Sequence, residues 1–514
     1  MRNALGRELP DYIDGFGDLH AYGQLTVASL PDKTALPIPS ADDNCSKLVP
    51  DLRTALKICS VRDGATLSFH HHLRNGDHVM NMVLQEAARM GLRDLRIAPS
   101  SIFPVHEPLV RLIEAGVVRT IHTGYVSGPV ADSITRGLLA GPAILQTHGG
   151  RARAIEAGEL PIDVAFIAAP TADDYGNING VSGPNACGTL GYAMVDARFA
   201  KRVVAVTDNL VSYPACPVDI TQEWVDLVVK VESIGEASRI VSGTTRITDD
   251  FVGLAIAATA AKVIEAAGFI ENGFSFQTGA GGISLAVAGF VKNAMQRKGV
   301  TGSFASGGVT AQIVEMLEQG LFQTVFDVQC FDLRAVGSYR ANRAHQAMSA
   351  SMYASPAQRG AVVNRLDAMI LGAAEVDMQF NVNVTTTANG RLIGGSGGHS
   401  DTAAGSKLAI VTTRLTAGTH AKIVESVSTV TTPGASIDVV VTEAGVAVNP
   451  LRAELAGRLS AAGIALVPIA RLYDLAREAS VAGQILKPRD SSTRVVALQQ
   501  YRDGSIIDVI RAIR

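Results

Sequence analysis

The chain has 514 residues, 47% hydrophobic and only 18% charged, with a formal net charge of −3. That length exceeds one core and implies at least two domains, and the apolar balance excludes a disordered chain. No Lys/Arg block marks a nucleic-acid surface, and no apolar run reaches the ~18 residues of a membrane span. Residues 1–8 carry no signal-peptide core. A cytoplasmic protein is expected, with neither nucleic acid nor membrane as partner. The five cysteines, at 45, 59, 187, 216 and 330, form no CxxC pair, so free thiols are expected rather than a disulfide framework or a zinc site.

Residues 1–50 are broken by Pro31, Pro37, Pro39 and Pro50 and read as an irregular arm. Regular structure is expected from Asp51, with helices over 51–59, 76–90 and 105–115. Strands are expected over 65–70, 95–98, 117–123, 163–169, 202–207 and 226–231. Strands alternating with helices at short spacing indicate parallel α/β units, and the apolar run 163–169 fits a strand buried on both faces. A polar, Gly-containing stretch at 232–238 places a domain boundary near 240. The second unit, 241–514, restarts with Asp249-Asp250 as a helix cap and a helix over 251–267. A strand from Phe274 then meets Gly279-Ala-Gly-Gly, and a helix from Ile283 runs to Gly299. The arrangement recurs as a strand over 302–306, a loop at Gly307-Gly308 and a helix over 310–319. Later strands are expected over 324–330, 377–385, 408–413, 421–427 and 437–442, a hairpin at Asn389-Gly390, and helices over 450–463 and 473–482. Gln146-Thr-His-Gly-Gly and Gln277-Thr-Gly-Ala-Gly-Gly hint at related halves.

Four stretches offer chemistry. Gly279, Gly281 and Gly282 lie between a strand and a helix, where backbone N–H groups serve as an oxyanion hole or merely make a tight packing turn. The spacing is not GxGxxG, and no Walker lysine follows. Gly394, Gly395, Gly397 and Gly398, then His399 and Asp401, with Arg391 upstream, form a second binding loop or a flexible surface turn. His70-His71-His72 and Arg74 end a strand. Alternate strand side chains face opposite ways, so the three imidazoles cannot share a metal; a polyanion site built on His71 and Arg74, or a plain polar strand end, remains. Glu443 ends another strand as a base, an orienting acceptor or a solvated carboxylate.

These stretches resemble the citrate lyase alpha-subunit family over nearly the whole chain. The likeness is carried by Ser68-Phe-His-His-His-Leu-Arg-Asn-Gly-Asp, Pro170-Thr-Ala-Asp-Asp-Tyr-Gly-Asn-Ile-Asn-Gly, Glu271-Asn-Gly-Phe-Ser-Phe-Gln-Thr-Gly-Ala-Gly-Gly, Phe304-Ala-Ser-Gly-Gly-Val-Thr and residues 394–401. The resemblance implies two CoA-transferase-like α/β domains, with open, mainly parallel sheets flanked by helices. It implies exchange on a thioester carrier, acetyl-carrier plus citrate giving citryl-carrier plus acetate. The implied partners are citrate, an acyl carrier (gamma) subunit and a citryl-cleaving (beta) subunit, in a homo-oligomer within a larger complex. No covalently bound cofactor is implied. The thioester belongs to the CoA-like phosphopantetheine of the carrier, or to free acetyl-CoA. Many CoA transferases of this fold hold a nucleophilic glutamate on the strand after the first glycine loop. Here Ser306-Gly307 stands in its place, which implies direct attack by a citrate carboxylate in a ternary complex. Gln277 joins the substrate-binding set. Glu271 is the rival nucleophile, disfavoured because it precedes the strand. A relative acting on citramalate or a short-chain acid, or a scaffold without chemistry, are the alternatives.

Overall fold

The computed structural model describes residues 1–23, 46–241, 245–480 and 493–513. Most of the proline-rich arm, Cys45, the stretch just past the expected boundary, and the last two residues of the helix read over 473–482 lie outside these. Two mainly parallel sheets, of ten and eight strands, carry the fold. In the first unit the main strands are Thr66–Phe69, Leu95–Pro99, Val118–Thr123, Ala143–Leu145, Val164–Ala169, Arg202–Thr207 and Leu227–Lys230. In the second they are Ser275–Thr278, Gly302–Val309, Phe322–Cys330, His345–Ala347, Ala368–Gly372, Leu408–Thr412 and Val439–Thr442.

Counted along each unit, these seven strands cross the sheet in the same order, 4-3-2-1-5-6-7. The halves are therefore related in topology. The two Gln-Thr-glycine stretches are not equivalent, however. Gln146 follows the fourth strand of its unit, whereas Gln277 lies within the first. The positional partner of the Gly279 loop is the loop carrying His71 and Arg74, which also follows a first strand.

The central strands are buried on both faces, as at Val164–Ala169 and Leu408–Thr412, because helices cover both sides of a parallel sheet. Caps match their sequence signals. Asp51 accepts from Thr54 N–H ahead of helix Leu52–Ile58, Asp250 accepts from Gly253 N–H ahead of Phe251–Ala266, and Gly299, with φ of 62°, closes Gly282–Lys298.

Four readings need correction. Gly307-Gly308 is not a loop. The strand runs through to Val309 with a bulge at that pair, and glycine serves the bulge. The expected strand over 377–385 is a short hairpin, Glu375–Asp377 paired with Val382–Asn383, because the Asp377 carboxylate accepts from the Gln379 and Asn381 N–H groups and turns the chain. The end of the chain does not stay with the second sheet. Val495–Gln500 and Ile506–Arg511 form a hairpin that pairs parallel with Ala143–Leu145 at the edge of the first, and the start of the chain packs on that hairpin through Leu9, Leu19 and Ala21. Leu48–Val49, counted in the arm, is the opposite edge strand of the same sheet. Asn389-Gly390 does turn a hairpin, closed by Thr386 and Leu392. Among the described residues no helix is long and apolar enough to cross a membrane.

Candidate active site

Both units aim the carboxyl ends of their strands at one cleft of about 640 Å³, the usual ligand position for open parallel sheets. The first unit supplies His71 and Arg74 after its first strand, Phe103 after its second, Tyr125 after its third and His148 after its fourth. The second supplies the Gly279 loop, Gln329, Phe331, Tyr353 and the Gly395 loop.

Arg74 is the dominant charge at one end. Its side chain is buried and makes no ion pair among the described residues, and its Nε has no hydrogen-bond partner. The guanidinium lies over the rings of Phe103 and Phe331, 4.9 and 5.2 Å from their centroids. Burial pulls its pKa from 12.5 to about 10, so it stays charged at neutral pH. Its φ of 52° is left-handed for a non-glycine residue, a local strain that marks functional loops. An unpaired buried cation is costly and calls for an anionic ligand. His71, with Nδ1 2.6 Å from Ser100 Oγ, stacks with Tyr192 (4.6 Å between centroids) and His148 (5.6 Å). Burial is the main cause that holds both imidazoles neutral, with the Arg74 guanidinium adding to it, His148 at about 3 and His71 well below its ordinary value. The strand ends at Phe69, so the triple histidine lies just past it rather than on it, and its rings part. His70 turns to Asp196, 3.1 Å away, His71 to the cleft, and His72 to Tyr192 N–H. The described residues do gather Asp327, Cys330 and His345 elsewhere, with ligand atoms within 4.8 Å. Cys330 Sγ and His345 Nε2 already lie 3.0 and 3.1 Å from Asp327 Oδ2.

Gly279 does not contribute as read. Its N–H donates to Ile370 O at 2.7 Å, continuing the ladder of its strand. Gly281, with φ of 142°, begins helix Gly282–Lys298 without a side-chain cap. The N–H groups of Gly281, Gly282 and Ile283 meet no acceptor among the described residues and line the cleft. They are free donors at the positive end of a long helix. Ser306 and Gly307 sit one layer back. Ser306 Oγ donates to Gln277 Oε1 (2.9 Å) while Gln277 Nε2 donates to Tyr353 Oη (2.7 Å). A Cβ at Gly307 would come within 2.4 Å of Gln277 Nε2. The pair therefore fixes Gln277, which faces the cleft.

Gly395, Gly397, Gly398 and His399 also reach the cleft, whereas Gly394 does not. The loop is glycine-rich because it presses on the first unit and on Tyr353. A Cβ at Gly395 would lie 2.5 Å from Gly124 O, and one at Gly398 2.6 Å from Tyr353 Oη. His399 is held at both ring nitrogens, by Thr432 Oγ1 (2.7 Å) and Gly372 O (2.9 Å), and burial lowers its pKa to about 4. It anchors the loop as a neutral ring. Two candidates lie outside the cleft. Arg391 pairs with Asp132 on the surface (2.6 Å), and Glu443 accepts from Leu415 N–H at 3.1 Å, beside the shallow depression around Phe251. Glu271 is exposed at the amino end of its strand.

The family model described as citrate lyase, alpha subunit, matches residues 45–513. The chain belongs to the citrate lyase alpha-subunit family. It is 46% identical to the citrate lyase alpha chain of Klebsiella pneumoniae, over 91% of this chain and 92% of that one, and 46% identical to that of Escherichia coli K12, over 91% of each. It superposes with a TM-score of 0.95 and 43% identity, over 100% of both chains, on the structure of a Streptococcus mutans protein assigned as the alpha subunit of citrate lyase in complex with citrate. A Pseudomonas malonate decarboxylase hetero-tetramer in complex with malonate shares the fold alone (TM-score 0.63, 17% identity, over 84% of this chain and 86% of that one). Family membership makes the chain an enzyme subunit.

Within this family member, sequence reasoning missed His148, Tyr192, Tyr353, Gln329, Arg414 and Lys422, all on the cleft wall. Only His148 carried a signal, as the third residue of Gln146-Thr-His-Gly-Gly. The start of helix His148–Glu156, capped by Thr147, docks on the second unit, where the Asp401 carboxylate accepts from Thr147 Oγ1 (2.9 Å) and Gly149 N–H (2.8 Å). Among the described residues lining the cleft, none is Asp, Glu or Cys.

Proposed function

We propose that the chain moves the thioester carrier from acetate to citrate, so that acetyl-carrier plus citrate gives citryl-carrier plus acetate. The carrier thiol is that of a CoA-like phosphopantetheine arm on a gamma subunit, or of free CoA. A beta subunit then cleaves the citryl form, and the subunits assemble as a homo-oligomer within that complex. One observation carries the mechanism: among the described residues, a cleft built around an unpaired, buried Arg74 offers no carboxylate or thiol of its own. A relay through a glutamyl, aspartyl or cysteinyl thioester has no side chain to form on there, so in this reading the incoming acid does the attacking.

In this reading a citrate carboxylate attacks the acetyl carbonyl. The C–S bond breaks, the thiolate leaves, and a mixed anhydride forms. The thiolate then attacks the citryl carbonyl, the anhydride C–O bond breaks, and acetate departs. Arg74, with the imidazoles of His71 and His148 beside it, holds the remaining carboxylates. The free amides of Gly281, Gly282 and Ile283 receive the oxyanion of each tetrahedral intermediate, a class of contact in which one donor is worth roughly 3–4 kcal/mol. Holding both reactants together supplies the rest. Citrate in the structure of the Streptococcus mutans relative favours citrate over citramalate. A scaffold would have no use for an unpaired buried cation. The test is acetate release from acetyl-CoA with citrate, with citramalate and with no acid. Release that depends on citrate supports the reading; none, or release at the same rate without acid, defeats it.

A further inference from the structure

The cleft is cationic at two ends. Arg74 packs against Phe331, which directly follows strand Phe322–Cys330. Arg414 and Lys422 flank the other end, just after strand Leu408–Thr412. Those strands are four places apart in the sheet, which at ~4.8 Å per place separates the two ends by roughly 19 Å. One small tricarboxylate cannot span that distance. The second end opens to solvent under the hairpin Thr416–Ala417 and His420–Ala421, exposed from Ala417 to His420.

Arg414 is already paired with Asp250. Lys422 has no ion pair or side-chain hydrogen bond among the described residues, and it is half-buried. The nearest carboxylates acting on it are Glu443 and Glu375. Both are engaged elsewhere, Glu443 with Leu415 N–H and Glu375 with Asn383 Nδ2 and Ser428 N–H. Burial brings the lysine's pKa down to about 8, with Arg414 pushing the same way and Glu443 and Glu375 opposing it only in part.

We infer that Lys422, with Arg414 beside it, forms a second anion subsite at the mouth of the cleft that takes a phosphate ester of the thioester partner while Arg74 holds the acid. This rests on the transfer reading above and extends it, since two anion subsites on one cleft bind donor and acceptor together. The ester belongs either to the arm itself or to the nucleotide part of free CoA.

The test is calorimetric titration of the full chain with pantetheine, 4′-phosphopantetheine and CoA, in wild type, Lys422→Met and Lys422→Arg. Phosphopantetheine should bind wild type at least tenfold tighter than pantetheine. That gap should close in Lys422→Met and largely survive in Lys422→Arg. A Lys422→Met loss confined to CoA would keep the subsite and assign it to the nucleotide phosphates. Equal binding of all three to wild type, or affinities for both phosphopantetheine and CoA that are unchanged in Lys422→Met, overturns the inference. The titration needs no turnover, so failure of citrate-dependent acetate release would count against the transfer reaction and not against this site.

Discussion

Replacing Arg74 by methionine separates a binding role from a structural one. The fall in its pKa from 12.5 to about 10 corresponds to about 3 kcal/mol of burial penalty on the charged form. The contacts with Phe103 and Phe331 return ~0.5–2 kcal/mol each. An unbranched apolar side chain of similar length removes the penalty, gives up those contacts and leaves no buried partner unpaired, since the Arg74 side chain has no hydrogen-bond or ion-pair partner among the described residues. Thermal stability should therefore match or exceed that of the wild type. Citrate binding should collapse. Hydrogen bonds to a charged group contribute ~1.5–3 kcal/mol each, so losing two from a desolvated carboxylate raises the KM for citrate roughly 100-fold or more. The assay is acetate release over a citrate titration, paired with a thermal melt. A melt lowered by several degrees, with the KM for citrate within twofold of wild type, would refute the reasoning and make Arg74 a packing residue.

Gly307→Ala, at φ of 103° and with a Cβ placed 2.4 Å from Gln277 Nε2, should cost ~1–3 kcal/mol in denaturant unfolding and lower kcat by displacing Gln277. Glu271→Gln, on an exposed turn at the far end of the strand, should leave acetate release within twofold of wild type. A larger loss would restore Glu271 as a nucleophile. The buried neutral histidines predict acid lability. His148 and His399 have folded pKa values of about 3 and 4, below the unfolded value of 6.5. Their stabilisation is complete above pH 6.5 and is lost as pH falls through that window, at about 1.4 kcal/mol per pH unit for each. Asp401 and Asp508, raised by burial, act in the opposite direction, so the net loss is smaller. Melts at pH 7 and pH 5 should show a lower Tm at pH 5; an equal or higher value would contradict the sign.

Much of the fold was legible. Continuous apolar strands such as Val164–Ala169, and caps such as Asp51, Asp250 and Gly299, depend on local chemistry and stand where periodicity puts them. Gly281 and Gly282 were readable because a strand, a glycine turn and a helix start follow one another in the chain. The non-local parts were not. No pattern in Val495–Gln500 says that it pairs with Ala143–Leu145, some 350 residues away. Arg391 and Glu443 look like site residues in sequence, yet Asp132 and Leu415 N–H claim them. Tyr192 and Tyr353 look like core aromatics, because only the meeting of two units brings them to one cleft. The glycines of 394–398 were read as ligand-facing, although close approach to Gly124 O and Tyr353 Oη already requires two of them.

The central claim is that the acid, and not the protein, attacks the thioester. It is tested most directly by incubating the protein with acetyl-CoA alone, adding borohydride, and measuring intact and peptide masses. The account predicts an unchanged mass at every carboxylate. An adduct or a reduced side chain at Glu271, or at any other Asp or Glu, would contradict it.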